Sequence, residues 1–266
     1  MPYDAVVSGS SDATRDALAR FGATHRAAVR AEWAAARAGG LDIRVVDRGG
    51  LLLGAAPTFP STMFNRGLGF TEQPGRIDEA LAFFADQGVD GEIVLDPADA
   101  PSGVEPRLRL EAYLCAADRI DPAPVDGLAL RVVDHVEVEA WMEVIVEGYA
   151  PIPEVAAIWR SEVPSMAGSA ERILLIGELD GQIVAASQSY LADGVAWLSW
   201  ATVLPSARGR GIQRSMIAER ARLTAERGCR DVAAWAFAGA HSSANLAGAG
   251  MPRIGERVVI RASDLG

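Results

Sequence analysis

Val203-Leu204-Pro205-Ser206-Ala207-Arg208-Gly209-Arg210-Gly211-Ile212-Gln213-Arg214 decides the reading of this chain. The residues before it, Val195 to Val203, are rich in valine, tryptophan and threonine and read as a strand. Those after it, Ile212 to Arg227, carry helix formers and stop at Gly228, and read as a helix. Glycines let a backbone approach a ligand closely. A helix N-terminus adds unpaired N–H groups and the positive end of a dipole. Strand, glycine-rich turn and helix together predict a phosphate or pyrophosphate cradle.

Working outward, the segments that follow a linker at Asp121–Gly127 have a regular order. Strands are predicted at 128–133, 173–179, 183–190, 195–203, 232–237 and 256–261. Helices are predicted at 137–147, within 153–166, at 212–227 and at 242–249. Asp180-Gly181 and Asp193-Gly194 are tight hairpin turns. This order describes an α/β protein with a mixed sheet and helices on its faces. Before the linker, helices are predicted at 12–37, 77–87 and 107–117, strands at 42–46, 51–55 and 92–95, and a loop at Asn65–Gly69. The division is therefore 1–126 and 127–266.

Composition narrows the chemistry. The 266 residues carry a net charge of −10, and all 25 basic residues are arginine. Without lysine there is no Schiff base and no P-loop lysine. An acidic chain without a basic footprint is not expected to bind nucleic acid. From Val203 onward, however, ten arginines face five carboxylates, a local charge of +5 that suits a small polyanion. Two cysteines without a CxxC pair, and histidines scattered at 25, 135 and 241, predict neither a disulfide framework nor a metal site. No 18-residue apolar run and no basic-then-apolar leader are found. The expectation is a cytoplasmic protein that does not span a membrane.

Arg208-Gly209-Arg210-Gly211-Ile212-Gln213, between a strand and a helix, resembles the acyl-coenzyme-A loop of the GNAT superfamily of N-acyltransferases, R/Q-x-x-G-x-G/A. Arg208 and Gly211 match; Gln213 stands where Gly or Ala is usual. The element order of 128–261 is similar to that of the whole family fold. The resemblance implies two GNAT-like halves, the first a degenerate copy, and acetyl-CoA (or another acyl-CoA) as co-substrate without a metal. It implies acetyl transfer to a primary amine, most simply of a small molecule, by direct attack in a ternary complex. A catalytically weak acyl-CoA-binding module is the alternative.

By the same resemblance, backbone groups of Ala201, Thr202 and Val203 would pair with the pantetheine arm. Residues 208–213, that is Arg208, Gly209, Arg210, Gly211, Ile212 and Gln213, would hold the pyrophosphate, and Asn245 would touch the coenzyme. The Val203 N–H would polarise the thioester carbonyl. Relatives often place a Glu on the central strand as base and a Tyr on the late helix as acid. Here the strand has no carboxylate, and Ser199 lies on the face of Trp197 and Ala201. Glu147, Glu162 and Glu178 remain as carboxylates that could reach the cleft. Residues 245–251 contain no Tyr, leaving Ser242, Ser243 or water as proton donor.

Overall fold

The computed structural model describes residues 12–59 and 61–266. Among them eleven strands form one sheet in the order β1-β2-β3-β4-β11-β5-β10-β9-β8-β7-β6. The strands are β1 (Arg44–Arg48), β2 (Leu51–Ala55), β3 (Arg66–Leu68), β4 (Glu92–Leu95), β5 (Leu108–Ala116), β6 (Leu128–Val132), β7 (Arg172–Leu179), β8 (Gln182–Ala192), β9 (Val195–Val203), β10 (Asp231–Phe237) and β11 (Arg253–Arg261). The helices are α1 (Asp12–Ala38), α2 (Ile77–Asp86), α3 (Val138–Tyr149), α4 (Pro153–Ser161), α5 (Val163–Met166), α6 (Ile212–Glu226) and α7 (His241–Gly248). Both predicted hairpin turns form, with Asp180, Gly181, Asp193 and Gly194 all at positive φ as a type I′ turn demands. No helix among the described residues is long and apolar enough to cross a membrane.

The topology repeats. β1, β2 and β3 run antiparallel in succession, α2 follows, and β4 returns parallel to β3. β7, β8 and β9 do the same, with α6 and then β10 parallel to β9. The two series exchange their last strands. β5 lies between β10 and β11, while β11 lies between β4 and β5. Backbone hydrogen bonds therefore run without a break from one series to the other.

α1, α3, α4 and α5 cover one face of the sheet, and α2, α6 and α7 the other. α1 is 27 residues of mostly alanine and arginine, both strong helix formers. It ends at Gly40, whose φ of 99° lets the Leu41 N–H turn back to the Ala36 carbonyl. Its buried Phe21, His25, Ala28, Val29 and Trp33 make it a long bar across both series.

Two expectations are corrected. Residues 108–116 of the helix predicted at 107–117 form β5 instead. Leu-Arg-Leu-Glu-Ala is good helix composition, but its alternation sends Leu110, Ala112 and Leu114 to the α1 face and Tyr113 and Cys115 to the α7 face. Ladders on both edges then outweigh helix propensity. Residues 66–68 of the predicted loop form β3, pinned by the buried Asn65, whose Oδ1 accepts from the Ala56 N–H at 2.7 Å.

Candidate active site

β9 and β10 pair only from Val195 to Trp197 against Asp231 to Ala233. Beyond that they diverge, and the second half of β9 borders an open wedge. β9 stays joined to β8 on its other edge, with a register shift between Ala186 and Gln188. At this bulge Trp200 adopts φ 47°, a left-handed conformation that a bulky residue rarely takes and that tends to mark functional sites. Arg220 of α6, 2% exposed, holds the distortion: its Nη1 donates to the carbonyls of Gln188 (3.2 Å) and Ser199 (3.4 Å). Burial lowers Arg220 to about 10, so it stays charged at neutral pH.

The bulge also reverses the side-chain alternation. Trp197 and Ser199 share one face, as predicted, and Trp197 packs there against Phe21 of α1. Trp200 then joins them against Trp141 and Trp159, and Thr202 follows where it abuts Gly148 of α3. Ala201 therefore leaves the face on which sequence alternation had put it. The Leu204 N–H donates to the Val184 carbonyl at 2.8 Å, so the odd-numbered Ala201 and Val203 turn their backbone groups to the wedge. Two side chains reach these groups. The Tyr149 hydroxyl donates to the Ala201 carbonyl (3.2 Å) and Arg208 Nε to that of Val203 (3.0 Å).

The wedge leads to the loop. Pro205–Ala207 makes one 3-10 turn, and Gly209 and Gly211 both sit at φ 80°, which glycine adopts without strain. Among the described residues no acceptor is bonded to the N–H groups of Gly209, Arg210, Gly211, Ile212 or Gln213. Ile212 is buried beside Ala207 and Met216 and anchors the start of α6. Arg208, Arg210 and Arg214 are exposed, Gln213 is half-buried, and the first turn of α6 has no acidic residue. Asn245 lies half-buried on α7. α2, the counterpart of α6, differs. Its first turn carries Asp78 and Glu79, and Arg48 and Arg76 are bound to Glu79. Negative charge occupies the place where α6 leaves its dipole free.

The acids sort by environment. Glu147 is exposed on α3, and Glu178 is half-buried with its nearest partner, Arg131, 3.9 Å away. Glu162, at the α4–α5 junction, is buried, and its carboxyl is pushed well above the usual range by burial, then by the charge of Glu32, with Arg172 opposing. Glu32 was not foreseen. It stands on α1, and Trp200 Nε1 donates to its Oε1 at 2.8 Å. Burial raises it too, against the Trp200 hydrogen bond and the charges of Arg172 and Arg66. Only a contact spanning 168 positions brings it here. Ser199 Oγ accepts from Gln188 Nε2 (3.3 Å), and Gln188 Oε1 accepts from Arg172 (2.7 Å). Tyr113, from β5, was likewise unforeseen at the first turn of α7, where its hydroxyl lies 2.8 Å from Ser243 Oγ. Both hydroxyls bond to Glu111, so this group fastens α7 to β5.

A carboxyl held above its ordinary range destabilises the fold once the solution is alkaline enough to ionise it in the unfolded chain. Glu162→Gln is expected to raise Tm at pH 8. The gain should shrink toward zero below about pH 4.5, where the unfolded glutamate is protonated as well. Melting curves of both proteins at the two pH values check this.

No protein-family model matches the sequence, and no curated protein matches it. Solved structures do. A GCN5-related N-acetyltransferase from Kribbella flavida superposes with a TM-score of 0.61 at 18% identity, over 88% of this chain and 95% of that one. A GCN5-related N-acetyltransferase from Sphaerobacter thermophilus gives 0.61 at 20% identity, over 93% and 92%. At such identity the likeness establishes a shared fold, across nearly the whole chain.

Proposed function

We propose that this chain, which has the fold of the GNAT superfamily, transfers an acyl group, in the simplest case acetyl, from coenzyme A to a primary amine. The observation that carries the reading is the wedge beside β9, which opens onto five unpaired N–H groups at the start of α6. Such a row of N–H groups with arginines on either side fits a pyrophosphate. The backbone of Ala201, Thr202 and Val203 then lies where a pantetheine arm would add itself as a strand, displacing Tyr149 and Arg208 from the two carbonyls. Asn245, half-buried on α7, would complete the coenzyme site.

In the reaction, one ammonium proton passes to Glu32, through a water where the geometry requires it. The freed amine attacks the thioester carbonyl. The Val203 N–H receives the charge that develops on the carbonyl oxygen, a role worth about 3–4 kcal/mol for a well-placed donor. The C–S bond breaks, the amide forms, and the second amine proton ends on the thiolate. Ser199 keeps the bulge in register through Gln188, and Glu147 adds negative charge at the rim to attract a cation. The first series serves the acceptor through α1 rather than a second coenzyme.

A thermal shift tests the cofactor. At a hundredfold excess of acetyl-CoA over its dissociation constant, stabilisation is about 2.7 kcal/mol. At roughly 2–4 °C per kcal/mol for a chain of this size, Tm should rise by about 5–10 °C. No shift at millimolar acetyl-CoA overturns the proposal. Thiol release with an amine panel separates acyl transfer from binding alone.

A further inference from the structure

Carboxylates outnumber arginines in this chain, 35 against 25, so an exposed arginine with no carboxylate beside it calls for a reason. Two such residues, Arg210 and Arg214, stand at the start of α6. Both are exposed, and among the described residues neither has a hydrogen bond or an ion pair. Their neighbours are engaged. Arg208 donates to the carbonyls of Val203 and Gly148. Farther along the helix Arg222 pairs with both Glu219 and Glu226, the two acids of α6. No acid of α6 is left over to neutralise Arg210 or Arg214.

The two free arginines are not equivalent. Arg210 sits at the tip of the loop, between Gly209 and Gly211. Arg214, the third residue of α6, sends its side chain across to α7. Its Nε lies 3.6 Å and its Cζ 3.9 Å from the point where a Cβ on Gly248 would stand. Gly248 is exposed, and Asn245, three positions earlier on α7, shares its side of that helix. Arg208 therefore reaches toward β9 and α3 while Arg214 reaches toward α7. They leave the five free N–H groups in different directions.

Coenzyme A carries more anionic charge than its pyrophosphate. A further phosphate, a monoester on the 3′ carbon of the ribose, lies on the adenosine side. At neutral pH it is mostly a dianion, and a planar guanidinium can pair with it through two parallel N–H···O bonds. With the pantetheine arm along β9, the adenosine leaves the N–H groups on the other side, where Arg214 points. We propose that Arg214 binds the 3′-phosphate and makes this chain selective for coenzyme A over its 3′-dephospho form. This selectivity rests on the coenzyme reading given above. Arg210, at the tip of the loop, belongs with the pyrophosphate, which both forms share. Because Arg214 is exposed, salt screens its pairing, and the selectivity falls as ionic strength rises.

Calorimetric titration of the whole chain with coenzyme A and with 3′-dephospho-coenzyme A tests the assignment. At low salt the parent is expected to bind coenzyme A at least about fivefold more tightly. Arg214→Gln should bring the two affinities within about twofold of each other, by weakening coenzyme A and leaving the dephospho form as in the parent. Arg210→Gln should weaken both by a similar factor and keep their ratio. Gly248→Asp is a second route, because Gly248 is helical and exposed and the aspartate would pair with Arg214. It should erase the preference with the arginine still in place. Equal binding of the two coenzymes by the parent overturns the assignment and keeps the coenzyme. A preference that survives Arg214→Gln or Gly248→Asp, or that Arg210→Gln abolishes, overturns it as well. A parent that binds neither coenzyme rejects the function proposed above, and this selectivity with it.

Discussion

Gly211→Glu is expected to weaken coenzyme A binding at least a hundredfold. Gly211 caps α6 at φ 80° and ψ 1°. A residue with a Cβ is strained in that conformation by about 1–2 kcal/mol. The carboxylate would also stand beside the five N–H groups to which no acceptor is bonded among the described residues. Losing one charge-assisted bond costs about 1.5–3 kcal/mol, and repulsion from pyrophosphate adds to it. Together these reach about 3–5 kcal/mol, or roughly two to three and a half orders of magnitude in Kd. Gly211→Ala serves as control, since it carries the strain without the charge and has room: its Cβ would lie 3.6 Å from Val125 Cγ2. It should lose about tenfold. Calorimetric titration with coenzyme A checks both, and a Glu variant that binds as the parent does would refute the assignment of the loop.

Glu32→Gln should lower kcat/KM by about 10²–10⁴, the usual contribution of a positioned base. Glutamine can still accept from Trp200 Nε1, so the bulge and the acetyl-CoA thermal shift should be unchanged. The pH profile adds a second readout. Because burial lifts Glu32 above the ordinary carboxylate range, the parent is inactive while that group is protonated, and kcat/KM rises as pH climbs through its raised value. The variant should lose that limb. Turnover within about threefold of the parent would exclude Glu32 as the base.

Much of the cradle was legible in the sequence because its physics is local. The positions of Gly209 and Gly211, the arginines around them and the flanking periods all lie in one continuous stretch from Val195 to Glu226, and the structure reproduces each element there. Alternation failed locally where a bulge intervened: nothing in Leu198-Ser199-Trp200-Ala201 announces that Trp200 will take a left-handed φ and carry Thr202 to the α3 face. It failed over a longer stretch at 107–117, where helix-forming residues became a central strand because two neighbours supplied ladders.

The acids show the same limit more sharply. Glu32, Glu147 and Glu162 are alike as letters in a sequence. Glu147 ends up in solvent, whereas Glu162 is buried at the α4–α5 junction and Glu32 accepts a hydrogen bond from Trp200 beneath α1. The sequence by itself determined the strand-loop-helix cradle, the hairpins and the mixed α/β order, since propensity, turn chemistry and capping act between near neighbours. Tertiary structure alone decided the exchange of β5 and β11, the divergence of β9 from β10, and which carboxylates lose their water, because burial and pairing depend on residues far apart in the chain, from Val195 against Asp231 to Glu111 against Glu256.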